Sequence, residues 1–522
     1  MSAPMSFQPV LLWTDALLFL LIALGLLAVI HARGQPPLRE AWRKVGKRPA
    51  GTAAATVLLA FLAVGVLDSL HYRPLLPAVA ASGGAGGASS GAASAPTGAG
   101  GTPTDPASPP TSAGNEGDQP GSAGVAAGNR APAAVYSTEV LSALDALLAP
   151  LRAQTEKTYS APFAWTLYQR EAMELPDGRQ VRDYPRLVHG AAHLDTPAEA
   201  RAGDVAARLL TAAGQAALWW AGVFVVLTTL VWRGSGLGWG EVAGAMLAGR
   251  TVLAWRAALV TLGVLLLIVA ACIGLAPYYH VLGTDKVGQD VLYLALKSVR
   301  TALVIGTLTT LVMMPFAVAL GIAAGYLGGW VDDAVQYVYT VLNAIPGVLL
   351  IAAAVLMMQV VIDTNPQWFD TAAERSDARL LALCFILGIT SWTGLARLLR
   401  GETLKLRELE YVQAARAFGV KTPAILRRHI LPNVMHIVMI ALVMDFSGLV
   451  LAEAVLSYVG IGVDPTTISF GTMINMARAE LAREPMVWWS LAAAFVFMFV
   501  LVLAANLFAD VVRDAFDPRR GS

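Results

Sequence analysis

Charge is scarce in this sequence. Asp, Glu, Lys and Arg make up 14% of its 522 residues, where a soluble globular chain carries about a quarter. Cysteine is scarcer still. Cys272 and Cys384 both sit in apolar runs, which argues against a disulfide framework or a cysteine metal site and leaves both as buried small hydrophobes. No Gly-x-x-x-x-Gly-Lys-Ser/Thr phosphate loop occurs, and Gly46-Lys47-Arg48 lacks both the preceding glycine and the hydroxyl. Glycines 234, 236, 238 and 240 miss the dinucleotide fingerprint, come after a membrane span, and read as a flexible cytoplasmic loop. His-Glu-x-x-His and Cys-x-x-Cys are missing too. By motif, then, the chain has no catalytic residue, no cofactor, no metal site and no ATP site. No basic patch with interleaved aromatics points to nucleic acid. The net charge of +1 favours neither acidic nor basic partners.

What is present is apolar length. Hydrophobic residues reach 56% and mean hydropathy is +0.60. A span needs about 20 apolar residues. Candidates are Leu11–His31, Thr52–Leu70, Leu209–Val231, Trp255–Pro277, Thr301–Ala324, Ala334–Val361, Arg379–Ala396, Val434–Leu456 and Val487–Ala509. The expected fold is an all-α polytopic membrane protein of about nine helices. Arg33, Arg39, Arg43, Lys44, Lys47 and Arg48 face only Glu40 between the first two spans, which places that segment in the cytoplasm and the N-terminus outside. Counting forward puts the basic loop at 397–433 and the C-terminal Arg513, Arg519 and Arg520 inside as well. The first span lacks the basic n-region of a signal sequence and reads as a retained anchor.

The external loop 71–208 has two parts. Residues 81–133 are almost wholly Gly, Ala, Ser, Pro and Thr and should form a tether. It could let residues 136–208 range about 40 Å to capture a partner or cover a pore mouth, with a structural cap packed on the bundle as the equal alternative. Residues 136–208 read as a small α+β or helical module. Ser137 is expected to cap a helix bearing Val140, Leu141, Leu144, Leu147, Leu148 and Leu151, and Pro176-Asp177-Gly178 to punctuate a hairpin. His189 and His193, with Asp195 nearby, have metal-ligand spacing only if helical, and Gly190 argues against that helix.

The most specific segment is Glu410-Tyr411-Val412-Gln413-Ala414-Ala415-Arg416-Ala417-Phe418-Gly419, with Ile425 and Ile430-Leu431-Pro432-Asn433 after it. Gly419 suits the left-handed position past a helix end. Thr422 and Pro423 read as an N-cap and first helical residue, and Pro432 as the stop of the second helix. The alanines strip bulk from one face, so a groove in another protein could receive it closely. This pattern resembles the "EAA" coupling loop of ABC-importer permeases, with Gln413 where that family usually has Glu.

Further matches in order resemble the permeases for dipeptides, oligopeptides and nickel. They are Gly283-Thr284-Asp285-Lys286-Val287-Gly288-Gln289-Asp290-Val291, Gly325-Tyr326-Leu327-Gly328-Gly329-Trp330-Val331-Asp332 and Ile345-Pro346. Leu451 to Val463, Ser469 to Ile474 and Asp517-Pro518-Arg519 complete the series. They cover roughly the last half of the chain. The resemblance implies a six-helix permease core at 245–522 with its coupling loop at 408–432, in a bacterial inner membrane. It also implies a second permease subunit, two cytoplasmic ATPases, an extracytoplasmic binding protein and contact with membrane lipid. Coupling would fall to Gln413, Ala414, Ala415, Arg416, Ala417, Gly419, Ile425, Leu431 and Pro432. The remaining segments read as a two-helix anchor (1–70), the linker (71–135), the module (136–208), and an extra helix with a cytoplasmic loop (209–244).

Physics assigns pathway candidates independently. Pro346 kinks its helix. Gly448, Gly460 and Gly462 permit close approach or a turn. Asp445 and Glu453 are ionisable groups in an apolar run and should face protein or water. Either can line a pathway or serve in packing, with Glu453 near enough to the external mouth to be hydrated. A secondary transporter would need intramembrane charge pairs and broken-helix repeats. A receptor that kept the fold without transport is the third reading. With no His or Cys cluster along any span, peptide is favoured over nickel.

Overall fold

Long apolar runs dictate long helices, because a chain in hydrocarbon must satisfy its backbone internally. The structure, a computed structural model, describes residues 7–75, 136–174, 178–234, 236–369 and 371–516. The 81–133 linker and the Asp517-Pro518-Arg519 ending lie outside the described residues. The chain packs as two units. In the first, Met1–Gln8 with Pro74–Ser137, Leu75 and Tyr136 form an antiparallel bridge and the Ser137 N–H donates to the Pro74 carbonyl at 2.9 Å. Pro9–Arg73 and Thr138–Ser522 make the second.

The second unit opens with α1 (Trp13–Gly34), α2 (Pro36–Lys47) and α3 (Pro49–Asp68), then the short α4 (Ala143–Leu147) and α5 (Ala149–Ala153). Next come α6 (Pro197–Trp232), α7 (Trp239–Ala248), α8 (Trp255–Leu275), α9 (Val291–Leu327), α10 (Gly329–Ala344) and α11 (Gly347–Thr364). The chain finishes with α12 (Ala372–Ser391), α13 (Thr393–Arg407), α14 (Glu410–Ala417), α15 (Thr422–Ile425), α16 (Leu431–Val459), α17 (Phe470–Glu480) and α18 (Trp489–Phe516). Among the described residues eight helical runs are long and apolar enough to cross a membrane, and α1 adds the shorter apolar stretch Trp13–Leu27. Six of the eight lie after residue 245. Helix α9 is the hub, touching α1, α3, α10, α12, α13, α16, α17 and α18. Asp290 caps its start by accepting from the N–H groups of Leu292 and Tyr293.

Several expectations need correction. Ala334–Val361 is not one kinked span: α10 ends at Ala344, Ile345 is extended, and α11 starts after Pro346. A residue before proline is driven out of the helical region, so the helix breaks instead of bending. The glycine-rich 234–240 stretch is only partly loop, because Glu241 reaches back to the Gly238 N–H and starts α7. The helix cap in the 136–208 module is Ser142, not Ser137. Its hydroxyl accepts from the Asp145 N–H while Asp145 accepts from the Ser142 N–H. The hairpin does form, Glu171–Glu174 pairing antiparallel with Gln180–Asp183; residues 175–177 at its tip lie outside the described residues.

The structure decides between the two readings of the 136–208 module in favour of the packed cap. Residues 138–208 belong to the same packing unit as the helical core. Leu151, Tyr159, Tyr168 and Ala161 share one apolar cluster with α9 and α18. Burial of that surface holds the module in place, so it does not range.

Candidate coupling face and translocation path

The 408–432 loop is anchored by its own apolar residues. Val412, Ile425 and Ile430 are buried in one cluster with Ile322, Tyr326, Leu395 and Leu399 of α9 and α13. Ala415 and Leu431 pack against the same cluster, so these two and Ile425 hold the loop to its own chain. Gln413, Ala414, Arg416, Ala417, Gly419 and Pro432 lie toward the outside, fully or partly exposed. Beside them Phe418 is 87% exposed, with Leu409, Tyr411 and Val420 also open. Gln413 donates to the Glu408 carbonyl at 3.2 Å, tying down the start of α14.

Gly419 has φ +75°, and an added Cβ would meet nothing within 4 Å. The requirement for glycine is therefore conformational alone. Two capping expectations shift. Lys421, not Thr422, is the N-cap residue of α15, which places Pro423 one position later. Pro432 does not stop a helix. A π turn at Leu426–Ile430 runs directly into α16, with Pro432 in its first turn. The Leu431 N–H donates to the Leu426 carbonyl. A proline inside an ordinary helix clashes with the carbonyl four residues back, and the wider turn relieves that clash. Asn433 then donates to the Tyr411 hydroxyl at 2.9 Å, linking α14 to this turn.

The loop's support reaches into the membrane through α13. A Cβ on Gly321 would lie 2.6 Å from the Ala396 carbonyl oxygen, and one on Gly325 would lie 2.7 Å from that of Arg400. These two helices touch backbone to backbone. At the same end Arg400 grips Asp332 of α10 with two bonds, 2.5 and 2.7 Å. That hydrogen-bonded guanidinium holds the Asp332 carboxyl below its ordinary range.

The pathway candidates divide. Asp445 is half-buried on α16 and has no hydrogen-bond or ion-pair partner among the described residues. Glu453 is not hydrated: it is 1% exposed and accepts from Ser457 at 2.7 Å and Ser469 at 2.9 Å. Its place is in the packing of α16 against α17. Gly460 ends α16 with φ +87°, and Gly462 lies so close to Ser457 that a Cβ would meet its hydroxyl at 2.0 Å. Gly448 faces open space, so it supports no close helix approach. Pro346 stands at the break between α10 and α11.

At the other end of α9 the Gly283–Val291 loop is locked to the module. Gly288 has φ +77°, and a Cβ there would lie 1.8 Å from the Glu156 carbonyl oxygen. Thr284 accepts from the Ser160 N–H at 2.7 Å and donates to the Thr158 carbonyl at 2.9 Å. His280, fully buried, sits 2.9 Å from Asp290 and 3.4 Å from Glu156. Glu156 also accepts from the N–H groups of Val188, His189 and Gly190. Burial opposes both charges, but the mutual hydrogen bonds outweigh it: His280 is pushed up to about 9 and Glu156 down to about 2. The His189 region is irregular, and His193 bonds Asp204 at 3.0 Å.

Residues 317–522 match the family described as "binding-protein-dependent transport system inner membrane component". The chain is 33% identical to the oligopeptide transport system permease protein OppC of Mycobacterium bovis over 239 residues, 46% of this chain and 76% of the relative. It is 34% identical to the glutathione transport system permease protein GsiD of Pectobacterium atrosepticum, covering 46% and 73%. It is 30% identical to the dipeptide transport system permease protein DppC of Lactococcus lactis, covering 46% and 64%. The chain belongs to this permease family. It is a multi-pass inner-membrane transport component and not itself an enzyme.

One set of residues in the permease escapes a reading of the sequence. Arg300 of α9 bonds Asp15 of α1 at 2.6 Å and Thr14 at 3.0 Å, while His71 bonds the other Asp15 oxygen at 2.8 Å. Asp377 of α12 accepts from the Thr14 N–H at 3.1 Å. Nearby, Lys297 bonds Asp145 at 2.8 Å and lies 3.3 Å from Asp68. The available signal is a set of charges inside or beside apolar runs. Their partners lie from 56 to 363 residues apart, so sequence alone cannot pair them.

Proposed function

We propose that the permease forms half of the translocation pathway of an ATP-driven importer for peptides or similar small solutes. A second permease subunit supplies the other half, an extracytoplasmic binding protein delivers the solute, and two cytoplasmic ATPases drive the cycle through the 408–432 loop. The observation that carries this reading is the coupling loop itself. Its apolar side is buried on α9 and α13, while Ala414, Ala417, Phe418 and Gly419 stand outward. Movement imposed on that outer face would pass through the Gly321 and Gly325 contacts into the helical bundle. A coupled switch needs contacts that differ between its two states, and docking there supplies them. Asp445, unpartnered among the described residues and half-buried, is the best candidate for lining the path, and Pro346 contributes the break between α10 and α11. Glu453, Gly460 and Gly462 shape the external end.

In this reading the N-terminus and the 138–208 module lie outside, and the coupling loop and C-terminus lie in the cytoplasm. Residues 9–70 and the 138–208 module brace the core in place of a ranging tether. The test is co-expression with the ATPases and partner permease. Gly419→Val forces a β-branched residue to positive φ, and Phe418→Asp puts charge on the docking ring. Both variants should insert normally, lose most co-purified ATPase, and lose solute uptake in reconstituted vesicles by roughly tenfold or more, the scale of about 1.4 kcal/mol of lost coupling. Full uptake by both would remove the loop from the mechanism.

A further inference from the structure

Helix α2 joins the apolar stretch of α1 to α3, a helix long and apolar enough to cross a membrane, which sets it beside one end of that span. Its apolar side is satisfied within the chain: Val45 is buried against Val511 and Val512, and Trp42 stacks edge-on against Phe516 at 5.6 Å. The opposite side carries Arg39, Arg43, Lys44 and Lys47, all exposed. None of these four side chains has a hydrogen bond or ion pair with another described residue, whereas Arg48 next to them pairs with Asp514. An amphipathic helix with a basic outer face and a tryptophan at its edge is the form that meets anionic headgroups.

A second, independent observation lies deeper in the bundle. Phe508, which packs on the Val45 cluster, also lines a cavity of about 250 Å³. Leu21, Leu58, Thr310, Met314 and Phe446 make up much of the rest, and the lining is almost entirely apolar. Leu58 stands nine residues into α3, about 13 Å below the end of α2 at helical rise. That is the depth an acyl chain reaches when its headgroup rests at the boundary. In depth along α3, shelf and slot fall within the reach of one lipid molecule, and the slot's wall includes α1 and α3.

We propose that the permease binds an anionic glycerophospholipid, its phosphate held by Arg39, Arg43, Lys44 and Lys47 and one acyl chain in the cavity under Phe508. The proposal needs neither the orientation nor the ATPase coupling argued above, so its failure leaves those readings untouched. The full-length protein, reconstituted in nanodiscs of mixed phosphatidylglycerol and phosphatidylcholine and then re-extracted in detergent, would be assayed for retained lipid by mass spectrometry. Wild type should retain phosphatidylglycerol in excess over its share of the mixture. The R39Q/R43Q/K44Q/K47Q variant should lose that preference, by about fivefold for each cation removed. Leu58→Trp, which fills the slot, should lower total retained lipid while leaving the headgroup preference in place. Raising salt should erode the wild-type preference without any substitution, which keeps the test decisive if the quadruple variant misfolds. A preference unchanged by salt and by the quadruple substitution overturns the proposal. So does loss of a co-purifying protein from the quadruple variant with its lipid preference intact, which would make the basic face a protein contact.

Discussion

At His280, burial and charge pull in opposite directions, and charge wins. Flanked by Asp290 and Glu156, the imidazole holds its proton up to about pH 9. Its folded state binds the proton more tightly than the unfolded state, so its stabilisation is complete below the ordinary value of 6.5 and disappears as pH rises through about 9. Glu156 works with the opposite sign. Its contribution is complete above 4.5 and is lost as pH falls toward about 2. The contact between module and core is thus firmest between these ordinary values and loosens first on the alkaline side. We expect the thermal stability of the purified protein to fall between about pH 7 and 10, and His280→Gln to flatten that fall. A decline of equal size in the variant would assign the effect to another group. Gly288 belongs to the same contact. Gly288→Ala combines positive φ with a collision on the Glu156 backbone, so no small adjustment accommodates it.

Among the elements, the prolines are legible as residues and less so as geometry. Sequence points to a kink at Pro346, where the structure separates α10 from α11. It points to a helix end at Pro432, where a π turn instead runs into α16. A proline limits which conformations are allowed, while the choice between bend, break and widened turn depends on neighbours that local sequence does not reveal. The left-handed Gly419 is legible because it depends on spacing alone. The α1–α9–α12 network is not, because it is a long-range pairing. Its weight can be measured. Arg300→Leu would leave Asp15 and Asp377 without their shared cation, and removing one partner of a buried pair costs about 3–5 kcal/mol. The variant should show a marked drop in thermal midpoint in detergent, with α1 newly open to protease. An unchanged midpoint would show that α1 is held by apolar contact alone.

For the whole molecule, the two ends of α9 set the frame. The His280 contact lies before its first residue and the 408–432 loop packs near its last, roughly 55 Å away at helical rise. These ends should fall on opposite sides of the membrane. With Cys272 and Cys384 replaced by Ala, Gln180→Cys should react with an impermeant thiol reagent from the periplasmic side, and Lys405→Cys only after the membrane is opened. The reverse pattern would overturn the orientation and the coupling assignment with it. The family half of the chain is readable through ordered motifs. The N-terminal half reads as an appendage because low-complexity sequence separates its parts, and only burial reveals that 138–208 is built into the bundle.

The bridge between Leu75 and Tyr136 has a practical consequence. With the pairs His71–Ser142 and Tyr72–Leu141, it brings together the two flanks of a 60-residue stretch, 76–135, in antiparallel pairing. Closing such a rung needs only a turn of about two residues, so a connection of another length could still let Leu75 and Tyr136 pair. That makes the position a natural splice point. A guest domain whose own termini lie side by side could be grafted there as a fluorescent reporter, leaving the helices on either side in register.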